Sequence, residues 1–147
     1  MAHTGGNSLK VISLVSTGIP CHTKLRHEFV PAENDKTYTV SFWAKIDSNQ
    51  GQSRKVDISI QSPDEEWPGF YTETIILDSL EWKEYKHSFV LEYKNWLEEV
   101  RVGLCIAQSD VDFWIDDFKF FEDKEIEVEK AVSVINKHII SWAETKF

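Results

Sequence analysis

The sequence predicts an all-β protein, an antiparallel β-sandwich of the jelly-roll type that carries one additional C-terminal α-helix. Between Ser8 and Glu122, hydrophobic residues recur at every second position in short segments, and turn residues separate these segments. No helical periodicity interrupts this region, whereas a parallel α/β fold would need helices between its strands. The alternation also leaves one polar side on each strand, as expected for sheets that pack one face inward and expose the other.

Eight segments carry this alternation, and the third is the clearest. In that segment Tyr38, Val40, Phe42 and Ala44 would face the core, and Thr39, Ser41, Trp43 and Lys45 would face outward. The predicted strands fall in the segments 8–14, 22–30, 38–45, 56–61, 70–77, 82–91, 100–107 and 111–121. Regular turns between short strands favour a sandwich.

The segment after the last predicted strand has a different pattern. Its apolar residues are spaced four, three, four and three positions apart, which is one face of a helix: Val128, Val132, Ile135, Ile139 and Trp142. We therefore divide the chain into a sandwich at residues 1–123 and an amphipathic helix at residues 124–147. The helix is interpreted as docking on the sandwich, contacting a second copy, or connecting to a neighbouring domain.

Composition and charge narrow the classes of function. A chain of 147 residues is the length of a single domain, and a net charge of −9 does not favour binding to nucleic acid or to an anionic membrane. No apolar run approaches the roughly 18 residues of a membrane span. The start of the chain has no signal-peptide pattern, so we expect an intracellular protein or a domain from a longer secreted chain. Cys21 and Cys105 fit no metal or redox spacing, and two free thiols are favoured over a disulfide.

No motif in the sequence indicates catalysis. There is no nucleophile elbow, phosphate-binding loop or metal-protease spacing, and an abundance of carboxylates does not define a catalytic pair. Asp116 and Asp117 stand in an apolar final strand, where a carboxylate needs a partner. They would point outward, cap a neighbouring loop, or hold a structural Ca²⁺ with carbonyl groups of Gly5 and Gly6.

Several segments together resemble a known family. They are Tyr38-Thr39-Val40-Ser41-Phe42-Trp43-Ala44-Lys45, Trp82 with Tyr85 and Phe89, Val100-Arg101-Val102, Phe113-Trp114-Ile115-Asp116-Asp117-Phe118, and the start His3-Thr4-Gly5-Gly6-Asn7-Ser8-Leu9-Lys10-Val11. In this order they resemble the carbohydrate-binding modules of the family 4, 9 and 22 type, over roughly residues 3–122. The first strand typical of the family, with an Asn-Leu-Leu…Phe-Glu pattern, lies before the point where this sequence begins, and the C-terminal tail is extra to the family.

The resemblance implies a non-catalytic sandwich that binds a polysaccharide chain, such as a β-glucan or xylan, in a concave face. It also implies a structural Ca²⁺, a covalently linked glycan-degrading enzyme, and a secreted or cell-surface location. The alternative is a protein-interaction or structural sandwich that contacts its partner through the C-terminal helix. A small glycan hydrolase or lyase on the same sandwich is a third interpretation, for which no acid/base constellation is found.

The candidate binding residues follow from the chemistry of sugars, which present apolar C–H faces to aromatic rings and hydroxyl edges to polar groups. The sequence places an indole, donors and acceptors on outward positions or in loops. The predicted carbohydrate-binding residues are Trp43, Trp67, Arg101, Gln61, Lys86, Glu84 and Tyr71, and the predicted metal site contains Asp116, Gly5 and Gly6.

Overall fold

The computed structural model describes residues 2–12, 16–47, 53–63, 71–93 and 98–123, and these residues form two antiparallel β-sheets. The strands are β1 (Leu9–Val11), β2 (Lys24–Pro31), β3 (Thr37–Ile46), β4 (Arg54–Gln61), β5 (Tyr71–Leu77), β6 (Lys83–Val90), β7 (Glu99–Cys105) and β8 (Phe113–Glu122). The prediction of an all-β sandwich is confirmed.

The chain crosses from one sheet to the other between consecutive strands, except that β4 and β5 are neighbours in the same sheet. Sheet A has the strand order β1-β8-β3-β6, and sheet B has the order β2-β7-β4-β5. Within the described residues the helical structure is a single 3₁₀ turn at Pro20–His22. The central strands β3 and β8 of sheet A, and β7 and β4 of sheet B, therefore carry the positions at which a broad outer surface can be built.

The core lies between the sheets and follows the predicted alternation. The inward side chains of the central strands are buried, among them Val40, Phe42, Val56, Ile58, Ile60, Val102 and Leu104. Two buried tyrosines use their hydroxyl groups to accept backbone hydrogen bonds, Tyr38 from the amide of Glu33 and Tyr85 from the amide of Asp78. Because each hydroxyl is satisfied, these rings add apolar area to the core without the cost of an unpaired polar group.

Arg54 is a fully buried cation that the hydrophobic pattern does not reveal. Its guanidinium group donates hydrogen bonds to the carbonyl oxygens of Ile106 and Val111 and lies 4.5 Å from the ring centroid of Phe113. Burial lowers the pKa of Arg54 to about 10, so the group stays charged at neutral pH. It ties the start of β4 to the connection between β7 and β8.

Cys21 and Cys105 form a disulfide, so the expectation of two free thiols is wrong. The two residues are 84 positions apart in sequence, yet their Cα atoms are 4.5 Å apart because the 3₁₀ turn lies against the end of β7. Backbone hydrogen bonds from Ile106 to Thr23 and from Ala107 to Pro20 hold the turn in place. Sequence spacing alone does not show such a long-range pairing, which depends on sheet topology.

Two predictions fall on parts of the chain outside the described residues. The amphipathic helix at residues 124–147 lies there, and so does Trp67. Among the described residues, no helix is long and apolar enough to cross a membrane.

Candidate functional site

The predicted binding residues do not form one surface, because the two sheets divide them. Trp43, Glu84 and Lys86 lie on the outer face of sheet A, where Trp43 is directly opposite Glu84 in the β3–β6 pairing. Gln61 and Arg101 lie on the outer face of sheet B, directly opposite each other in the β4–β7 pairing. The sequence assigned each of these residues to an outer face, but the sheet to which each face belongs is set by the topology.

The outer face of sheet A is aromatic, and we call it the indole face, defined by Trp43, Trp82 and Trp114. Its rings are already covered by neighbouring side chains. The Nζ atom of Lys10 lies 5.4 Å from the ring centroid of Trp114, and that of Lys45 lies 5.5 Å from the ring centroid of Trp82. A sugar ring would have to displace these contacts, which are themselves favourable.

The N-terminal segment also covers the indole face. The ring of His3 stacks on Trp43 with centroids 3.6 Å apart, and the aspartate pair of β8 holds the segment there. Asp116 Oδ2 accepts hydrogen bonds from the amides of His3 and Thr4, and Asp117 Oδ2 accepts one from the Thr4 hydroxyl at 2.7 Å and contacts His3 Nδ1 at 3.1 Å. These hydrogen bonds, first from Thr4 and then from His3, lower the pKa of Asp117.

The same contacts bear on the predicted calcium site. Calcium takes six to eight oxygen ligands. Here Asp116 accepts hydrogen bonds from three backbone amides, and no group of three or more His, Cys, Asp or Glu side chains gathers anywhere in the described ranges. Calcium binding by Asp116, Gly5 and Gly6 stays a prediction. If Ca²⁺ binds there, adding Ca²⁺ should raise the melting temperature of the protein, and Asp116→Ala should abolish this rise.

The outer face of sheet B is polar, and we call it the polar face, defined by Lys24, Arg26, Asp57, Ser59, Gln61 and Arg101. Three of these side chains are buried although they point away from the core: Asp57, Ser59 and Gln61 are 4%, 4% and 2% exposed. Buried polar side chains are costly unless they are hydrogen-bonded, so a row of them on an outer face is an expensive arrangement. Sheet A carries a shorter row of this kind, Thr39 and Ser41, in which the Thr39 hydroxyl is hydrogen-bonded to Ser88 and Asp123.

Two arginines and one glutamate form the ion-pair cluster of the polar face. Glu28 bridges them, with Oε1 2.5 Å from Arg26 Nε and Oε2 2.6 Å from Arg101 Nε. Arg101 Nε is buried and its short approach to Glu28 does not meet hydrogen-bond geometry, so the pair is best described as an ionic contact. The Glu28 carboxylate fixes the positions of both guanidinium groups.

A shallow depression lies beside this cluster, with Ser59 and Gly103 paired across its floor. A Cβ atom on Gly103 would lie 2.3 Å from the carbonyl oxygen of Leu25 and 2.7 Å from Cβ of Arg26, so glycine permits β2 to approach β7 closely. The hydroxyl of Ser59 is buried and has no hydrogen-bond partner within the part of the chain that the structure describes. A hydroxyl group can donate and accept a hydrogen bond, so Ser59 would serve a bound molecule once the side chains that bury it move aside.

The far end of the polar face is satisfied internally. Asp57 accepts hydrogen bonds from the Thr74 hydroxyl and from the side-chain amide of Gln108, and Cys105 lies directly opposite it on β7. The disulfide and the 3₁₀ turn lie at this end. The rest of the polar face runs from the Ser59–Gly103 pair to the Gln61–Arg101 pair, where Gln61 accepts a hydrogen bond from Lys24.

A β-bulge adds an aromatic residue that sequence reasoning missed. The register between β2 and β7 shifts between His27 and Val30, so Glu28 and Phe29 together lie opposite Arg101. Phe29 has φ = 56° and is 59% exposed. A left-handed conformation is unusual for a bulky residue and is found where surrounding structure enforces it. The sequence does not indicate this bulge, because the pattern of the segment 22–30 is that of a regular strand and Phe29 is one of its residues.

Tyr71, the remaining predicted site residue, faces the sandwich interior instead of a binding surface. Its ring stacks on Phe89 with centroids 4.1 Å apart, and its hydroxyl is 2.5 Å from His87 Nε2. Burial raises the pKa of Tyr71. Tyr71 begins β5, opposite the buried Ile60, which explains its orientation.

Together, the two four-stranded antiparallel sheets define a β-sandwich. The sequence matches the family model for a carbohydrate binding domain, CBM_4_9, over residues 2–107. The chain therefore belongs to this carbohydrate-binding domain family, as the resemblance in its sequence indicated. The match includes every strand of the polar face. No protein in the curated collection of sequences matches the chain.

Solved structures of low sequence identity share the fold. A structure described as "CBM4 structure and function" is 17% identical with a TM-score of 0.64, covering 78% of this chain and 70% of its own. A CBM22-1 xylan-binding domain from Paenibacillus barcinonensis Xyn10C is 12% identical with a TM-score of 0.55, covering 85% and 78%. The CBM22-1–GH10 modules of Clostridium thermocellum Xyn10B with xylohexaose are 16% identical with a TM-score of 0.53, covering 83% and 23%.

Proposed function

We propose that this protein is a non-catalytic module that binds a polysaccharide chain on the polar face of sheet B. The observation that carries the proposal is the row of buried polar side chains on an outer face, one of which, Ser59, has an unpartnered hydroxyl among the described residues. Sugar hydroxyls both donate and accept hydrogen bonds, so they match serine, glutamine and arginine side chains. Phe29, which is exposed and lies opposite Arg101 in the β-bulge, offers an aromatic surface to the apolar face of a sugar.

The family and the similar structures support a β-linked ligand such as xylan or β-glucan. The similar structures include a xylan-binding domain and a pair of CBM22-1 and GH10 modules complexed with xylohexaose. By analogy we propose that this module is linked to a glycan-degrading enzyme and acts outside the cell. The Cys21–Cys105 disulfide supports the extracellular location, because disulfides persist in oxidising compartments.

The proposal is tested by affinity gel electrophoresis in gels that contain soluble xylan, β-glucan or mannan. At least one polysaccharide is expected to retard the protein. Arg101→Ala should weaken that binding by about 10- to 100-fold, because a hydrogen bond to a charged group contributes roughly 1.5–3 kcal/mol. Circular dichroism and thermal melting check that the variant folds.

Matched variants on the indole face are the controls. Lys86→Ala and Trp43→Ala are expected to bind as the unmodified protein does, because both residues lie on sheet A. Retardation that is lost in Trp43→Ala and kept in Arg101→Ala would contradict the assignment of the polar face. No retardation by any of the polysaccharides would contradict carbohydrate binding.

A further inference from the structure

The polar face has a local charge opposite to that of the whole chain. The chain carries a net charge of −9, yet the ion-pair cluster contains two cations, Arg26 and Arg101, and one carboxylate, Glu28. The other carboxylate of the polar face, Asp57, accepts hydrogen bonds from Thr74 and Gln108. The ion-pair cluster therefore has a surplus of one positive charge.

The ion pairs with Glu28 also determine which nitrogen atoms of the two guanidinium groups are already engaged. Both Arg26 and Arg101 approach Glu28 through Nε, and Glu28 is the ion-pair partner of each among the described residues. Contact through Nε leaves the end-on pair of Nη groups, the edge that binds a carboxylate in a bidentate manner. Both side chains are accessible, with exposures of 42% and 18%.

Hydrogen-bond donors predominate around these two arginines. The Ser59 hydroxyl lies in the adjacent depression without a partner in the described part of the chain, and the ammonium group of Lys24 lies 3.3 Å from the side-chain oxygen of Gln61. An ionised carboxylate only accepts hydrogen bonds, whereas a neutral sugar hydroxyl can accept and donate. A donor-rich, positively charged face is therefore more complementary to a carboxylate than to a hydroxyl group.

We propose that the polar face selects acidic glycans, with the carboxylate of a uronic acid residue bound by the Nη groups of Arg26 and Arg101, which the contact with Glu28 does not use. Neighbouring sugar hydroxyls would then meet Ser59 and Gln61. This inference rests on the proposed function and adds the class of sugar to it.

The net charge of the chain does not prevent this selection. Charges farther than about 8 Å from the site are largely screened at physiological ionic strength, while a bound carboxylate lies within hydrogen-bond distance of the arginines. The long-range field slows the approach of an anionic chain, and the local contacts determine which sugar stays bound.

The test compares glucuronoxylan with the same polysaccharide after its uronic acids are reduced to neutral sugars, using isothermal titration calorimetry. The same comparison is made with polygalacturonate and its reduced form. We expect at least one acidic form to bind about tenfold or more tightly than its reduced form. This preference should shrink between 0.05 and 0.5 M NaCl, since salt screens the charges.

The outcomes separate the inference from the proposed function. Equal binding of acidic and reduced forms would overturn the preference for uronic acids and leave carbohydrate binding intact. No binding of either form, together with no binding of neutral xylan, β-glucan or mannan, would overturn the proposed function itself.

Variants locate the preference on the polar face. Arg26→Gln is expected to bring the ratio of acidic to reduced affinity towards one, and Lys119→Gln, on the outer side of sheet A, is expected to keep the ratio. Arg101→Gln is a second variant with the same expected change. A ratio that survives in both arginine variants would contradict the inference.

Discussion

On the outer face of sheet A, Lys45 lies over the ring of Trp82 and His3 stacks on Trp43, so the aromatic rings already have partners. On the outer face of sheet B, Ser59 is buried with no partner among the described residues, and Arg101 has one side of its guanidinium group committed to Glu28. The face that is richer in aromatic residues is therefore covered by the protein itself. Among the described residues the polar face retains the unpartnered hydroxyl of Ser59 and the indole face retains the unpartnered indole N–H of Trp82.

This difference shows that an exposed aromatic position in a sequence is an incomplete sign of a binding platform. An aromatic ring can stack on a ligand only when its face is accessible. That accessibility depends on residues that are remote in sequence, such as His3, which stacks on Trp43. Buried polar groups are the more informative sign here, because folding pays a cost to place them and something must offset that cost.

The largest expected effect comes from removing the disulfide, which supports the polar face and has no counterpart on the indole face. The disulfide encloses a separation of 84 residues and fixes the 3₁₀ turn at one end of the polar face, and no cysteine lies on the indole face. The chain-entropy model gives about 4–5 kcal/mol for a loop of this length. We expect Cys21→Ser with Cys105→Ser to lower the free energy of unfolding in guanidinium by roughly this amount.

Reducing agent provides the control for this prediction. Unfolding of the unmodified protein in a strong reductant should resemble that of the double variant, and reductant should leave the double variant unchanged. Equal unfolding midpoints for the unmodified protein with and without reductant would contradict a stabilising role of the disulfide.

A smaller effect is expected at the floor of the polar face. Gly103→Ala would bring a Cβ atom against the backbone of Leu25 and the side chain of Arg26, so β2 would have to move away from β7. We expect a loss of about 1–3 kcal/mol of stability, the usual cost of overpacking, together with weaker polysaccharide binding. Denaturant unfolding and calorimetry measure the two effects.

The matched control is Gly6→Ala, because a Cβ atom at Gly6 meets no atom within 4 Å. It should change neither stability nor binding. If Gly103→Ala binds polysaccharide as tightly as Gly6→Ala does, the close approach of β2 to β7 is not needed for the site.

The smallest effect concerns the indole face and depends on pH. The pKa of Asp117 is lowered in the folded protein by hydrogen bonds from Thr4 and His3. A lowered folded pKa stabilises the protein above the unfolded value of about 4, and this stabilisation is lost as the pH falls through the folded pKa. The melting temperature of Asp117→Asn should therefore fall less between pH 6 and pH 2.5 than that of the unmodified protein.

Polysaccharide binding at pH 6 should be the same for Asp117→Asn and the unmodified protein, because Asp117 belongs to sheet A. Identical pH dependence of the two melting temperatures would show that the hydrogen bonds to Thr4 and His3 do not contribute measurably. A loss of binding would connect the N-terminal segment to the ligand and weaken the distinction between the two faces.

Much of the fold can be predicted from sequence, because a period of two fixes which side chains face the core. Alternation correctly placed Trp43, Gln61 and Arg101 on outer faces. The assignment of these faces to different sheets could not be predicted, since it depends on strand order across long separations. The Glu28 bridge and the left-handed conformation of Phe29 arise from a β-bulge, and the Cys21–Cys105 pairing arises from the packing of a turn. The alternation of hydrophobic and polar residues predicts neither feature.

The most direct test of the central claim, that the ligand binds on the polar face, is a ¹H–¹⁵N nuclear magnetic resonance titration with oligosaccharides released from glucuronoxylan. The backbone amides of Ser59 and Gly103 report on the polar face, and the indole N–H signals of Trp43, Trp82 and Trp114 report on the indole face. We predict shifts of the Ser59 and Gly103 signals with these three indole signals unchanged. Shifts of the three indole signals with Ser59 and Gly103 unchanged would contradict the account.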